Sequence, residues 1–145
     1  MKTLIISSVL AALVSVASLS AGNPKTTVYE NIETTDAGVK KEYISYNTKI
    51  SQGENKIVYI YNSNGVLASK TVYNWNTEKG WVILKNYDYK YNVDGKLAYL
   101  NFTKWENNRS VQAEQLIHIY DNEGNFMAVE KIDLNGEDVA YASQK

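Results

Sequence analysis

The sequence predicts an all-β chain folded as an antiparallel meander, and three observations predict it. A strand-turn-strand unit is written three times, as Tyr59-Ile60-Tyr61-Asn62-Ser63-Asn64-Gly65-Val66-Leu67, as Tyr89-Lys90-Tyr91-Asn92-Val93-Asp94-Gly95-Lys96-Leu97, and as His118-Ile119-Tyr120-Asp121-Asn122-Glu123-Gly124-Asn125-Phe126. The turn glycines Gly65, Gly95 and Gly124 fall 30 and then 29 residues apart, the spacing of an internal supersecondary repeat. From Thr26 onwards no stretch keeps a helical period, while β-branched and aromatic residues are abundant.

Each copy carries the short-range signature of a β-hairpin. A type I turn followed by a left-handed residue requires positive φ at that last position, where glycine alone meets no steric penalty. Asn62, Asn92 and Asp121 stand at the first turn position, where a short polar side chain accepts hydrogen bonds from the backbone ahead of it. A three-residue loop with a bulge pairs Tyr61 with Leu67, Tyr91 with Leu97 and Tyr120 with Phe126, giving every copy an aromatic opposite an apolar partner. Two residues back, Tyr59, Tyr89 and His118 share that face, so the one histidine occupies a tyrosine slot.

The chain begins with the pattern of an export signal, expected as a helix over residues 1–22 ahead of a single β-repeat domain over 23–145. Lys2 supplies the charge, Leu4 to Val16 the apolar run, and Ala17, Ser18, Ser20 and Ala21 the small residues of a cleavage site between Ala17 and Gly22. The apolar run is shorter than the roughly 20 residues a spanning helix needs, so no stable membrane span is expected after cleavage. The chain has no cysteine, which excludes a lipoprotein anchor, disulfides and thiol catalysis. Export without disulfides fits a periplasm or an outer, extracellular surface.

The formal charge of -1 becomes -2 once Lys2 leaves with the signal, and that balance argues against a nucleic-acid surface. The only proline is Pro24. Tight turns are expected at Asp36-Ala37-Gly38, at the three glycines above, and at Asn135-Gly136. Wider loops are expected over 51–55, 76–80 and 106–110. These eight connections imply about nine strands, over 26–35, 39–49, 56–61, 66–75, 81–91, 96–105, 111–120, 125–134 and 137–142. Short connections pair each strand with its predecessor. A twisted sheet of this width curls into an open barrel-like or solenoid-like form.

The pattern Tyr-x-Tyr-Asn/Asp-x-x-Gly-x-Leu/Phe, followed by Lys70-Thr71-Val72-Tyr73-Asn74-Trp75-Asn76 and Trp81-Val82, resembles an uncharacterised family of small secreted Bacteroides-type proteins. The resemblance covers most of the chain after the signal and implies export and a β-rich repeat domain, with no activity attached. The hairpin is also similar to the tyrosine-aspartate repeats of Rhs and teneurin shells. Here only Asp121 places the aspartate after the tyrosine, and the chain is too short to enclose a cargo.

Trp75 and Trp105 each stand ten residues after a turn glycine, and Trp81 opens the strand after Trp75. With Tyr73 and Tyr99 these tryptophans form a candidate platform for sugar rings, since amphipathic aromatics offer a flat apolar face with a polar edge. The competing role is packing, for which Leu134 in the third copy's tryptophan slot speaks. Gly38, Gly65, Gly95, Gly124 and Gly136 are read as structural turn residues. Asp121-Asn122-Glu123-Gly124 and Asn92-Val93-Asp94-Gly95 resemble half of a calcium loop but lack its later ligands. No motif selects a metal, a cofactor or a catalytic set. His118 has no evident partner for base chemistry, and Glu106, Glu114 and Glu130 are carboxylates that no motif pairs.

The expectation is an exported, non-enzymatic binding or envelope-associated module, with a glycan or an envelope protein as partner. The alternatives are a glycan-active hydrolase and a structural, self-assembling envelope protein, the latter through its exposed first and last strands.

Overall fold

The computed structural model describes residues 12–16 and 25–135. Its strands are β1 (Ala12–Val16), β2 (Thr26–Thr35), β3 (Gly38–Asn47), β4 (Gln52–Asn62), β5 (Leu67–Asn76), β6 (Gly80–Tyr91), β7 (Leu97–Glu106), β8 (Arg109–Tyr120) and β9 (Phe126–Asp133). Each pairs antiparallel with the next, in one sheet ordered β1 to β9. Eight of these strands, β2 to β9, form the expected meander. The sheet stays open, since β9 does not return to the first edge.

Ala12–Val16 lies inside the stretch expected as the export helix and is an edge strand against β2, with Val14 opposite Glu30. The rest of that stretch lies outside the described residues, as do Gly136 and the strand expected over 137–142. Among the described residues no helix is long and apolar enough to cross a membrane.

The repeated turns follow the expected chemistry. Tyr61 pairs with Leu67, Tyr91 with Leu97 and Tyr120 with Phe126. Gly65, Gly95 and Gly124 have φ of 76°, 77° and 82°. The Asn62 Oδ1 accepts from the Asn64 and Val66 N–H groups, each at 3.0 Å. Asn92 does the same for Asp94 and Lys96, and Asp121 for Glu123 and Asn125. A register shift follows at Ile60/Tyr61, Lys90/Tyr91 and Ile119/Tyr120. It leaves Ala68, Ala98 and Met127 as extra residues, and such bulges increase local twist.

The loops expected to be wide are tight. Asn76 pairs with Gly80 across three residues, with the Asn76 Oδ1 accepting from Glu78 and Lys79 at 3.0 and 2.9 Å. Glu106 pairs with Arg109 across Asn107 and Asn108, whose φ values are 51° and 61°. Two consecutive left-handed residues make a primed hairpin turn, which asparagine tolerates. At the third, Asn47 pairs with Gln52 and Ser51 takes φ of 51°. Strand β4 therefore starts four residues earlier than position 56.

The sheet is a single layer. Among the described residues only Val58, 8% exposed, is a buried hydrophobic, and no side chain is fully enclosed. One face carries Tyr43, Tyr59, Tyr61, Leu67, Tyr87, Tyr89, Leu100, Phe102, His118 and Tyr120 in cross-strand register. The other carries Tyr73, Trp75 and Trp81 near one end and a polar row in the middle. There Thr71 donates to the Asn86 Oδ1 (2.8 Å), Asn86 to Asp88 (2.6 Å) and Gln115 to Asn101 (2.9 Å).

Without a second layer, cross-strand pairs on each face supply the stabilisation, roughly 0.2 to 1 kcal/mol apiece. Lysine stems add cover over the aromatics. The Lys70 ammonium lies 5.7 Å from the Tyr59 ring centroid and 5.6 Å from that of Tyr87.

Candidate functional site

The indoles of Trp75 and Trp81 stand opposite each other beside the β5–β6 turn, centroids 5.1 Å apart and planes at 75°. The edge-to-face contact sets the negative face of one ring against the positive rim of the other. Gly53 makes room for Trp81, since a Cβ there would meet the Trp81 ring at 2.8 Å. The Lys56 ammonium sits 4.7 Å from the Tyr73 centroid and 5.1 Å from that of Trp81, a cation over two electron-rich faces.

Trp75 is 37% exposed. It forms one wall of a groove of about 370 Å³ to which Trp105, from the next hairpin, also contributes. Asn74, Asn76 and Asn107 also line the groove, while Lys79 and Glu106 add one charge of each sign. The Glu106 carboxylate accepts from the Lys104 ammonium at 3.0 Å. The Trp105 Nε1 is buried without a hydrogen-bond partner. Indole faces beside amide donors and acceptors suit a ligand with one flat apolar side and hydroxyls at its edge.

Of the five aromatics expected as a platform, Trp75, Trp81 and Tyr73 cluster, and Trp105 meets Trp75 across the groove. Tyr99 lies elsewhere, opposite Lys90 and Ile117. His118 faces Val129 and packs 6.0 Å from the Phe126 ring, its Nδ1 buried without a partner. Glu114 accepts from Lys131 at 2.6 Å and from Gln112 at 2.8 Å. These bonds hold its carboxyl below the usual range. Across the ladder Glu114 faces Phe102 and Asp133, whereas Glu106 faces Arg109. Glu130 is on the exposed strand β9.

A second concavity, of about 440 Å³, is lined by Tyr43, Ile57, Tyr59 and Tyr61. The sequence shows these tyrosines as a stripe, and a stripe reads equally as core. The missing signal is that Lys41 and Lys70 are the two cross-strand partners of Tyr59. The Tyr43 hydroxyl donates to Glu30 at 2.9 Å, and this bond is the main cause of its raised pKa. Its ring meets that of Tyr59 edge-on at 5.9 Å.

No family model and no curated protein matches the chain. Among solved structures it is similar to the crystal structure of a DUF3836 family protein from Parabacteroides distasonis ATCC 8503 at 1.50 Å resolution. The identity is 13% and the TM-score 0.36, over 81% of this chain and 97% of that one.

Proposed function

We propose that this chain is an exported, non-enzymatic binding module and that its ligand is a glycan seated in the Trp75–Trp105 groove. The observation that carries the reading is a partly exposed tryptophan, Trp75, at a groove that Trp105 and three asparagines also line. A pyranose ring presents axial C–H groups to an aromatic face and equatorial hydroxyls to amides, so this lining matches it chemically. Export rests on the leader, whose cleavage between Ala17 and Gly22 would be read by N-terminal sequencing of the secreted protein.

The test is titration of neutral oligosaccharides and polysaccharides against tryptophan fluorescence, with acrylamide quenching alongside. Trp75 should be quenchable, a bound glycan should protect it, and W75A and W105A should each weaken binding at least tenfold. Shielding of all three tryptophans from acrylamide, with no glycan altering the emission, overturns the proposal.

A second reading is self-assembly. All eight residues of β9 are exposed, among them Phe126 (59%) and Met127 (65%). Its outer edge has no neighbour among the described strands, and unpaired edges template further pairing. Cleavage of the leader would remove β1 and open β2 as well. Light scattering showing concentration-dependent multimers, abolished by a proline within β9, would favour this reading.

A further inference from the structure

We infer that the tyrosine-lined groove over β4 is a second ligand site, and that its ligand is a polyanionic saccharide, such as a uronate-bearing chain. The choice of a saccharide among polyanions rests on the glycan reading above.

The groove is polar at its rim and apolar at its floor. Ile57 and the rings of Tyr43, Tyr59 and Tyr61 form the floor. Lys41 and Lys70 flank Tyr59 on the neighbouring strands. Strands in a sheet lie about 4.8 Å apart, so the two lysine backbones stand roughly 10 Å apart across β4. The Lys41 ammonium lies 5.4 Å from the Tyr61 centroid, and the Lys70 ammonium lies between Tyr59 and Tyr87. Both are held at the rim by ring faces.

Around the groove lysines outnumber carboxylates, Glu30 standing at the β2 side and Glu114 and Asp133 on the distant strands β8 and β9. Lys41 and Lys70, from β3 and β5, lie in the cross-strand row of Tyr59, and Lys85 and Lys104, from β6 and β7, lie on the same face one row along. Among the described residues only Lys104 of these four has an ion pair, with Glu106. The carboxylate nearest the groove in register is Glu30, opposite Tyr43, whose hydroxyl it already accepts. Two ammoniums held by π faces and lacking a counter-charge favour an anion. Glu30 disfavours anionic groups at the β2 side and directs them toward Lys41 and Lys70.

A saccharide fits better than a nucleic acid or a lipid headgroup layer. The whole chain has a net charge of -1, and a phosphate backbone or an anionic membrane draws on dense clusters of Lys and Arg. Sparse cations interleaved with tyrosines match a ligand whose charges are spaced by uncharged rings.

The experiment is calorimetric titration of the full mature chain with oligogalacturonate, its methyl ester, single-stranded oligonucleotide and phosphatidylglycerol vesicles, at low and moderate salt. Oligogalacturonate should bind and its neutral ester should bind at least tenfold more weakly. The K41Q/K70Q double variant should lose at least tenfold, and Y59A should lose a similar factor. K41Q alone, at a rim position, guards against a folding defect and should lose a smaller factor with an unchanged circular dichroism spectrum. W75A/W105A should retain oligogalacturonate binding, which separates this site from the indole groove. Equal binding of ester and acid, or equal binding by wild type and K41Q/K70Q, overturns the inference. So does tighter binding of the oligonucleotide or the vesicles.

Discussion

The Tyr91 hydroxyl donates to the Leu67 carbonyl at 2.7 Å. One repeat later the Tyr120 hydroxyl donates to the Leu97 carbonyl at 2.8 Å. The ladder between β5 and β6 ends at the pair Ser69/Asp88, and that between β7 and β8 at Tyr99/Ile117. In both places a tyrosine from the later hairpin reaches a carbonyl beyond the last ladder pair of the earlier one. The hairpins are thereby clamped at the end where strand pairing stops, and the part-buried carbonyls there are not left open.

Removing that hydroxyl tests the clamp. Y91F and Y120F should each cost about 1 kcal/mol, the net worth of one hydrogen bond, with the shape of the ring retained. Urea unfolding should show a lower midpoint at an unchanged m-value. No loss in either variant would mean that the carbonyls find water equally well.

The turn glycines should separate by what surrounds them. At Gly65 a Cβ would meet nothing within 4 Å, so G65A should cost only the left-handed backbone penalty, about 1 to 2 kcal/mol. At Gly38, with φ of 140°, a Cβ would run into the Tyr61 carbonyl oxygen and lie 2.8 Å from the Asn62 carbonyl carbon. G38A should therefore cost clearly more than G65A and should loosen β3 from β4, read as lost amide protection at Tyr61 and Asn62. Equal losses would refute the close approach.

Acid stability should depend on Asp121. Hydrogen bonds from the Asn125 side chain, and then from the turn N–H groups, hold its carboxyl below the ordinary range. A depressed folded pKa contributes stability that is complete above the unfolded value of about 3.9 and is lost as pH falls from there through the folded value. The first two repeats carry Asn62 and Asn92 in this slot. D121N should therefore fold and should narrow the difference in melting temperature between about pH 6 and pH 3. An unchanged difference would place the acid sensitivity elsewhere, Glu114 with Lys131 being the next group to examine.

Much of this is legible in the residues. Asn62, Ser63, Asn64 and Gly65 specify a three-residue turn through backbone chemistry confined to the turn, and the turn length then sets Tyr61 against Leu67. The tight turns at the opposite end were harder to read. Asn76 and Asn107-Asn108 are polar and flanked by charges, as open loops are, and asparagine's tolerance of left-handed φ carries no pattern of its own. The bulges at Ala68, Ala98 and Met127 have no local signature either. Where Tyr91 donates to Leu67, its partner is 24 residues away in sequence.

The groove was half legible. Trp75 and Trp105 share a position in the repeat, and the meander brings like positions to one end of the sheet. That Trp81 packs over Gly53, and that Tyr99 faces Lys90 away from the groove, depends on register summed across several strands.

The sequence by itself determined the strand order, the reversals and the pairing at each repeated turn, because those follow from short-range backbone chemistry and the period of the repeat. The tertiary structure alone decided that the sheet remains one open layer, and which lysines stand beside which tyrosines. Both faces carry apolar and polar side chains, so burial cannot choose a face until every strand has its neighbours.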